Sequence, residues 1–237
     1  MPDASTSKIS SGTSKAVAGY SPATAAAFVR SHCEASREGR TPSGKRIPQR
    51  EALIRWAIDK GVRPESFPLN ALEPIRPGAE HSVYYDRVAA KVVKITHPGS
   101  FGWSTADEGL KATPLEYLDR LAWQNRLFSD KIRIVAVVGD KRVIKVVTSQ
   151  PYIFELDEAP DITLDEIDQF FESRHFKKVS LNPDAPWFFN SDLEIAVGDG
   201  HPGNFIRNVS GEIVPIDLVI GKPGTTFLKK IIDHLGQ

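Results

Sequence analysis

The 237-residue sequence contains a single cysteine, Cys33, which excludes a disulfide within the chain and any zinc site built on several cysteines. It also lacks an apolar run near the roughly 18 residues that a membrane-spanning helix needs. Basic and acidic residues balance at 30 each, so the basic excess typical of a nucleic-acid binder is missing. The first residues show no basic-then-apolar order of a secretory signal. We therefore expect a protein of the reducing cytoplasm, with neither a nucleic-acid nor a membrane partner.

The composition is otherwise that of a globular protein, with 41% hydrophobic and 25% charged residues, and the length suits one domain with an extension. Residues 1–20 have few large apolar side chains, so we expect a mobile tail. Residues 21–74 are predicted to form a helical extension. Its first helix covers 22–38 with Ser21 as the cap, 39–48 is a linker, and a second helix over 49–60 ends at Gly61.

After residue 75 the pattern becomes that of a β-rich unit with one helix inside it. Strands are predicted over 82–85 and 88–96, and a hairpin of strands 132–138 and 141–148 follows later. Between them, Thr113 is expected to cap a helix over 114–128 that begins with Pro114. The remainder is predicted to contain helices over 164–174 and 227–235, and short strands over 193–197, 205–208 and 213–216.

Three polar side chains at a fixed spacing give the strongest functional signal. Asp199 lies in the turn GDGHPGN, Asn204 follows five residues later, and Asp217 ends a short strand thirteen residues further on. Phosphoryl-transfer enzymes of the kinase fold use this order of a catalytic Asp, a metal-binding Asn and a metal-binding Asp. The turn residues alone would fit ordinary turn chemistry equally well, but a turn does not require an acid after the next strand. We therefore predict Asp199 as the catalytic carboxylate and Asn204 and Asp217 as Mg²⁺ ligands. His201 fits loop packing at least as well as phosphate contact, and no catalytic role is assigned to it.

The first strands and the helix offer candidates for ATP binding. Lys91 and Lys94 are three residues apart on one strand, so only one can face the phosphates, and the pattern around Lys94 favours that residue. Its acidic partner is expected on the next helix, where Glu116 reaches further than Asp119. Lys94 and Glu116 thus join Asp199 as predicted catalytic residues. The predicted nucleotide-binding residues are Gly78, Glu80, His81, Val83, Lys94, Gln150 and Tyr152.

These segments resemble a known family. The runs GAEHSVY from Gly78, VKIT from Val93, TPLEYL from Thr113 and GDGHPGN from Gly198, with VPID ending at Asp217, look like the serine/threonine/tyrosine kinase-like domain of polyvalent proteins. Those are multidomain proteins of phages and conjugative elements. The resemblance implies an α+β, protein-kinase-like fold in two lobes, with a β-rich N-lobe over 75–155 and a reduced C-lobe over 156–237. It also implies binding of ATP and Mg²⁺ and, as acceptor, a protein substrate or the chain itself.

Three departures from the family pattern leave other functions open. The glycine loop lacks two glycines, Leu218-Val219 follows Asp217 in place of Phe-Gly, and only twenty residues follow Asp217. We therefore expect no long activation segment. The substrate platform is either built differently, supplied by the N-terminal helices, or completed by a partner or larger assembly. One alternative is a small-molecule phosphotransferase similar to aminoglycoside and choline kinases. The acidic segment 155–168 would line its acceptor pocket, although a solvated helix and loop fits that segment better. The other is a nucleotide-binding pseudokinase that acts by interaction.

Overall fold

Two helices near the N-terminus pack together on the rest of the fold. The computed structural model describes residues 19–34, 42–75, 78–106, 109–180 and 186–236. Helix α1 covers Pro22–Glu34 and α2 covers Pro42–Asp59. The predicted tail over 1–18 and the predicted helix end and linker start over 35–41 lie outside the described residues. The predicted tail also includes Tyr20, which is a correction: Tyr20 exchanges backbone hydrogen bonds of 2.9 and 2.8 Å with Ile134 and so belongs to the fold.

Helix α2 begins earlier than the sequence indicated. The predicted linker over 39–48 is wrong from Pro42 onward, because the helix continues through Pro48. Tertiary contacts outweigh the helix-breaking signal here. The buried Gln49 accepts a hydrogen bond of 3.1 Å from the Leu115 backbone, and Arg46 donates one of 2.5 Å to the Lys111 carbonyl.

A five-stranded antiparallel sheet forms the centre of the first part of the chain. Its strands are β1 (Glu73–Pro74), β2 (His81–Asp86), β3 (Lys91–Thr96), β4 (Arg133–Gly139) and β5 (Ile144–Pro151), in the order β1-β2-β3-β5-β4. Helix α3 (Pro114–Phe128) connects β3 to β4 with the predicted bounds, and Thr113 and Glu116 form the capping box at its start. The predicted order of strand, strand, helix, strand, strand is confirmed.

The sheet is buried on both faces. One face packs with α1, α2 and α3 in a core that includes Leu53, Trp56, Tyr117 and Ile134. On the other face, Val93, Ile95, Ala136 and Val147 lie under the segment that carries Phe67 and Leu72. The N-terminal helices therefore share a core with the sheet and with α3.

The C-terminal part combines short strands with two helices. Its helices are α4 (Leu164–Glu172) and α5 (Thr225–Leu235), and its strands are β6 (Lys177–Val179), β7 (Trp187–Asn190), β8 (Ile195–Gly198), β9 (Phe205–Arg207), β10 (Ile213–Pro215) and β11 (Val219–Gly221). Strands β9 and β10 pair as a hairpin, and the others form a sheet in the order β11-β8-β7-β6. The sequence prediction missed β6, β7 and β11, which are too short to show a clear alternation. An aromatic cluster around Phe171, Phe188 and Phe205 joins α4 to the two sheets.

Across the ranges that the structure describes, no helix combines the length and the apolar character needed to cross a membrane.

Candidate active site

The turn after β8 fixes the backbone of Asp199. This residue has a positive φ of 62°, an uncommon backbone conformation for a residue other than glycine. Its carbonyl oxygen accepts hydrogen bonds from the His201 backbone N–H at 3.0 Å and from Asn204 Nδ2 at 2.9 Å. Residues Pro202–Asn204 then form one turn of 3₁₀ helix. The same residues therefore form a turn and carry the predicted function. The Asp199 side chain is 49% exposed.

The backbone of one residue, Ile216, connects three of the predicted site residues. The Ile216 N–H donates to the backbone carbonyl of Asn204 at 2.8 Å, and the Ile216 carbonyl accepts a hydrogen bond of 2.7 Å from Lys94 Nζ. Lys94 Nζ also lies 3.9 Å from Asp217 Oδ1. The structure therefore brings Lys94, Asn204 and Asp217 together, although Lys94 is more than 100 positions earlier in the chain than the other two.

Strand register explains why Lys94, and not Lys91, reaches this point. Lys94 lies directly opposite Val83 on β2 and Thr148 on β5, so these three residues share one face of the sheet. Lys91 pairs with Asp86 and Pro151 and lies on the opposite face. Lys94 is 14% exposed, as expected for a side chain that extends between two parts of the fold.

The predicted pairing of Glu116 with Lys94 is not formed. Both Glu116 carboxylate oxygens serve the start of α3: Oε2 accepts from the Thr113 backbone N–H at 2.7 Å, and Oε1 accepts from the Ser104 hydroxyl. The correction follows from the position of Glu116 at N3, where a side chain caps its own helix more easily than it reaches a distant strand. The alternative, Asp119, is bound to Arg30 at 2.6 Å.

Asp130, which is not among the site residues predicted from the sequence, supplies a second negative charge near Lys94. It follows α3 and accepts a hydrogen bond of 2.6 Å from the buried Gln124. Burial raises the pKa of Asp130 to about 6, while the Gln124 hydrogen bond and the positive charge of Lys94 oppose that rise. A partly buried carboxyl whose pKa is raised by burial and lowered by the charge of a lysine is a typical signal of a functional site.

Two residues predicted to bind the nucleotide turn toward α3 instead. Glu80 forms a bidentate ion pair with Arg120, whose Nη1 lies 3.0 Å from Glu80 Oε2. His81 is buried, with Nε2 at 3.2 Å from Glu80 and 3.1 Å from the Tyr117 hydroxyl, and burial lowers its pKa to about 4. These side chains therefore hold the start of β2 on α3. Gly78 is itself tied into the fold, because its N–H donates to the His81 carbonyl at 2.9 Å and its carbonyl lies 3.1 Å from His97 Nε2.

The other predicted nucleotide-binding residues line the Lys94 face of the sheet and its end. Gln150 lies opposite Val92, which is two residues from Lys94 along β3 and therefore on the same face of the sheet as Lys94 and Val83. The Tyr152 backbone N–H donates to the Ala90 carbonyl at 3.0 Å. Its ring is 4.5 Å from the ring of Tyr85, and 5.1 Å from that of Phe154. Tyr85 lies two residues after Val83 on the same face, so alternation along β2 could have identified it.

Electrostatics keep Asp217 ionised. Burial pushes the pKa of Asp217 upward, but the charges of Lys94 and Arg120, with His81 and His201, outweigh it and hold that pKa below its usual value. In the described part of the chain, no group of three or more His, Cys, Asp and Glu side chains could hold a metal ion. Two oxygen ligands from Asn204 and Asp217 suit Mg²⁺, which keeps several waters and takes further ligands from phosphates.

The acidic segment 155–168 is partly used by the fold. Glu166 caps the start of α4 and forms an ion pair with Arg207 at 2.8 Å. Asp168 forms an ion pair with Lys178 at 2.5 Å. These two acids are therefore not available to line a pocket for a cationic acceptor.

Comparison with known protein families identifies a match over most of the chain. A family model described as serine/threonine/tyrosine kinase found in polyvalent proteins matches residues 47–221, about three quarters of the chain. No curated protein and no solved structure matches the chain. The matched range begins inside α2 and ends with β11, so it contains every site residue from Gly78 to Asp217.

Proposed function

The chain belongs to the serine/threonine/tyrosine kinase family found in polyvalent proteins, and from that premise we propose that it transfers the γ-phosphoryl group of ATP to a protein hydroxyl, with Mg²⁺ as cofactor. The observation that carries this proposal is the meeting of Lys94 and Asn204 at the backbone of Ile216, the residue before Asp217. A lysine, an asparagine and an aspartate held this close together by the backbone would suit a metal-bound polyphosphate.

Asn204 and Asp217 would hold the metal ion. Because Asn204 Nδ2 donates to the Asp199 carbonyl, its Oδ1 is the side-chain atom that remains for a cation. Asp217 contributes a carboxylate whose depressed pKa keeps it ionised. When bound, Mg²⁺ supplies positive charge that offsets the negative charge developing on the transferred phosphoryl group. Lys94 adds a positive charge on the side of β3.

Asp199 would act on the acceptor. Its exposed carboxylate can orient a hydroxyl group and accept its proton as the new phosphorus–oxygen bond forms. The Asn204 side chain links this residue to the metal site, since it bonds the Asp199 carbonyl. The nucleotide base would lie against the surface formed by Val83, Tyr85, Val92, Gln150 and Tyr152. We propose that this surface is at the boundary between a β-rich N-lobe and a C-lobe.

The acceptor is proposed to be a Ser, Thr or Tyr hydroxyl of a protein, and the chain itself offers candidates. Residues 5–14 contain seven Ser and Thr residues, at positions 5, 6, 7, 10, 11, 13 and 14. This segment lies outside the described residues. A larger assembly or partner protein would supply the remaining substrate contacts.

Incubation with γ-labelled ATP and Mg²⁺ tests the proposal. The wild type should label itself or an added protein substrate, Asp199→Ala should lose that labelling by at least about a hundredfold, and Asp233→Ala, an exposed acid on α5, should label like the wild type. Equal labelling of the wild type and Asp199→Ala would overturn the assignment. Release of ADP only on addition of a small metabolite, without protein labelling, would favour the small-molecule phosphotransferase instead.

A further inference from the structure

His201 contacts Asp199 in two places. Its backbone N–H donates to the Asp199 carbonyl at 3.0 Å, and its ring Nε2 lies 3.5 Å from Asp199 Oδ1. The same ring accepts a hydrogen bond of 3.2 Å at Nδ1 from the Gly203 backbone N–H. The imidazole therefore lies between the 3₁₀ turn and the carboxylate predicted to be catalytic.

The Gly203 contact determines which ring nitrogen carries the proton. A backbone N–H can only donate, so Nδ1 must be the unprotonated nitrogen that accepts. The proton of the neutral ring is then on Nε2, the atom that faces Asp199. Glycine at position 203 permits this arrangement, because an added Cβ would lie 3.1 Å from Cε1 and 3.2 Å from Nδ1 of the ring.

We propose that His201 is a positioning residue for Asp199, a role that rests on the proposed phosphoryl transfer. Its Nε2–H faces Oδ1 and directs the other carboxylate oxygen, Oδ2, toward the acceptor hydroxyl. In the transfer step, the acceptor O–H bond breaks and its proton passes to Oδ2. The acceptor oxygen bonds to the γ-phosphorus as the bond between that phosphorus and the β–γ bridging oxygen breaks, and ADP leaves.

The location of the ring separates this role from simple packing. The His201 side chain is 47% exposed, and the Asp199 side chain is 49% exposed, so neither is buried in a core. A histidine that served only to hold the turn would need its backbone and Nδ1. The orientation of Nε2 toward the carboxylate adds a contact that the turn itself does not require.

Two substitutions at the same position test the role. The amide nitrogen of Gln occupies roughly the place of imidazole Nε2, whereas that of Asn reaches only the place of Nδ1. We expect His201→Gln to keep kcat within about threefold of the wild type and His201→Asn to lower it about tenfold or more, as suits a group that orients a general base. The KM for MgATP should change less than about twofold in both. Equal thermal unfolding midpoints would show that both variants fold.

A measurement that needs no turnover complements these kinetics. The ¹⁵N NMR spectrum of the wild-type imidazole should show the tautomer protonated at Nε2. Protonation at Nδ1 instead, or equal loss of kcat in the Gln and Asn variants of an active enzyme, would overturn the role of His201 alone. A wild type with the expected tautomer but no phosphoryl transfer to any protein would overturn the proposed function, and the role in catalysis with it.

Discussion

Replacing Arg120 by methionine should destabilise the fold far more than a surface substitution. Arg120 is 4% exposed on α3, and both prongs of its guanidinium contact Glu80, which is 16% exposed. Burial alone would lower the pKa of Arg120, but the charge of Glu80 outweighs it and raises that pKa above its usual value. Both charges are thus stable in this buried position because they are paired.

The expected cost follows from the charge that is left behind. Removing one partner of a buried ion pair leaves the other uncompensated, which typically costs about 3–5 kcal/mol of unfolding free energy. For a chain of this length, that corresponds to a decrease of roughly 6–20 °C in the melting temperature. Urea unfolding followed by circular dichroism measures the free energy, and calorimetry measures the melting temperature.

Two further variants show whether the charge, rather than the lost packing, is the cause. The double variant Glu80→Gln/Arg120→Met carries neither charge and should recover about half or more of the lost stability. Arg126→Met removes an exposed arginine from the same helix and should change stability by less than about 1 kcal/mol. A loss below about 1 kcal/mol in Arg120→Met, or a double variant at least as unstable as the single one, would refute the reasoning.

Three further predictions concern Asp130, Lys94 and the cap of α3. Because the folded-state pKa of Asp130 is raised from 3.8 to about 6, its contribution is fully present below pH 4 and is lost as the pH rises through 6. Asp130→Asn should therefore gain stability relative to the wild type between pH 4 and 7, by up to about 3 kcal/mol in urea unfolding; parallel pH profiles would contradict this. Lys94→Met should lower phosphoryl transfer by about a hundredfold, and Lys91→Met, on the other face of β3, should transfer like the wild type in the same labelling assay. Equal effects of the two lysine variants would exclude the proposed phosphate contact. Thr113→Ala should cost about 1 kcal/mol in thermal unfolding by removing the cap of α3, whereas an unchanged midpoint would mean that the cap contributes little.

Local signals predicted the elements that carry the site. The bounds of α3 follow from Thr113, Pro114 and Glu116, since a capping residue, a first-turn proline and an N3 acid define a helix start without tertiary help. Alternation along β3 means that only one of Lys91 and Lys94 can face the phosphates, since residues three apart lie on opposite faces, and the strand pattern around Lys94 favours that residue. These features depend on residues that are close in the sequence, and for that reason they can be predicted from it.

Features that depend on contacts between distant parts of the chain could not be predicted from the sequence. Glu116 caps its own helix, and the acids near Lys94 are Asp217 and Asp130, which the topology brings from other parts of the chain. Glu80 turns inward because Arg120, forty residues later, provides a buried partner. Strand β11 begins two residues after Asp217 and pairs with β8, but its three residues contain too little pattern to predict a strand.

The most direct test of the central claim is the intact mass of the protein after incubation with ATP. We predict that the wild type gains phosphate groups with Mg²⁺, gains none when the metal is chelated, and gains none as Asp217→Ala, while Asp233→Ala behaves like the wild type. An added protein substrate replaces the chain as acceptor if the wild type does not label itself. Phosphate incorporation that is the same in Asp217→Ala and the wild type, or that persists without Mg²⁺, would contradict the assignment of Asn204 and Asp217 as the metal site of a kinase.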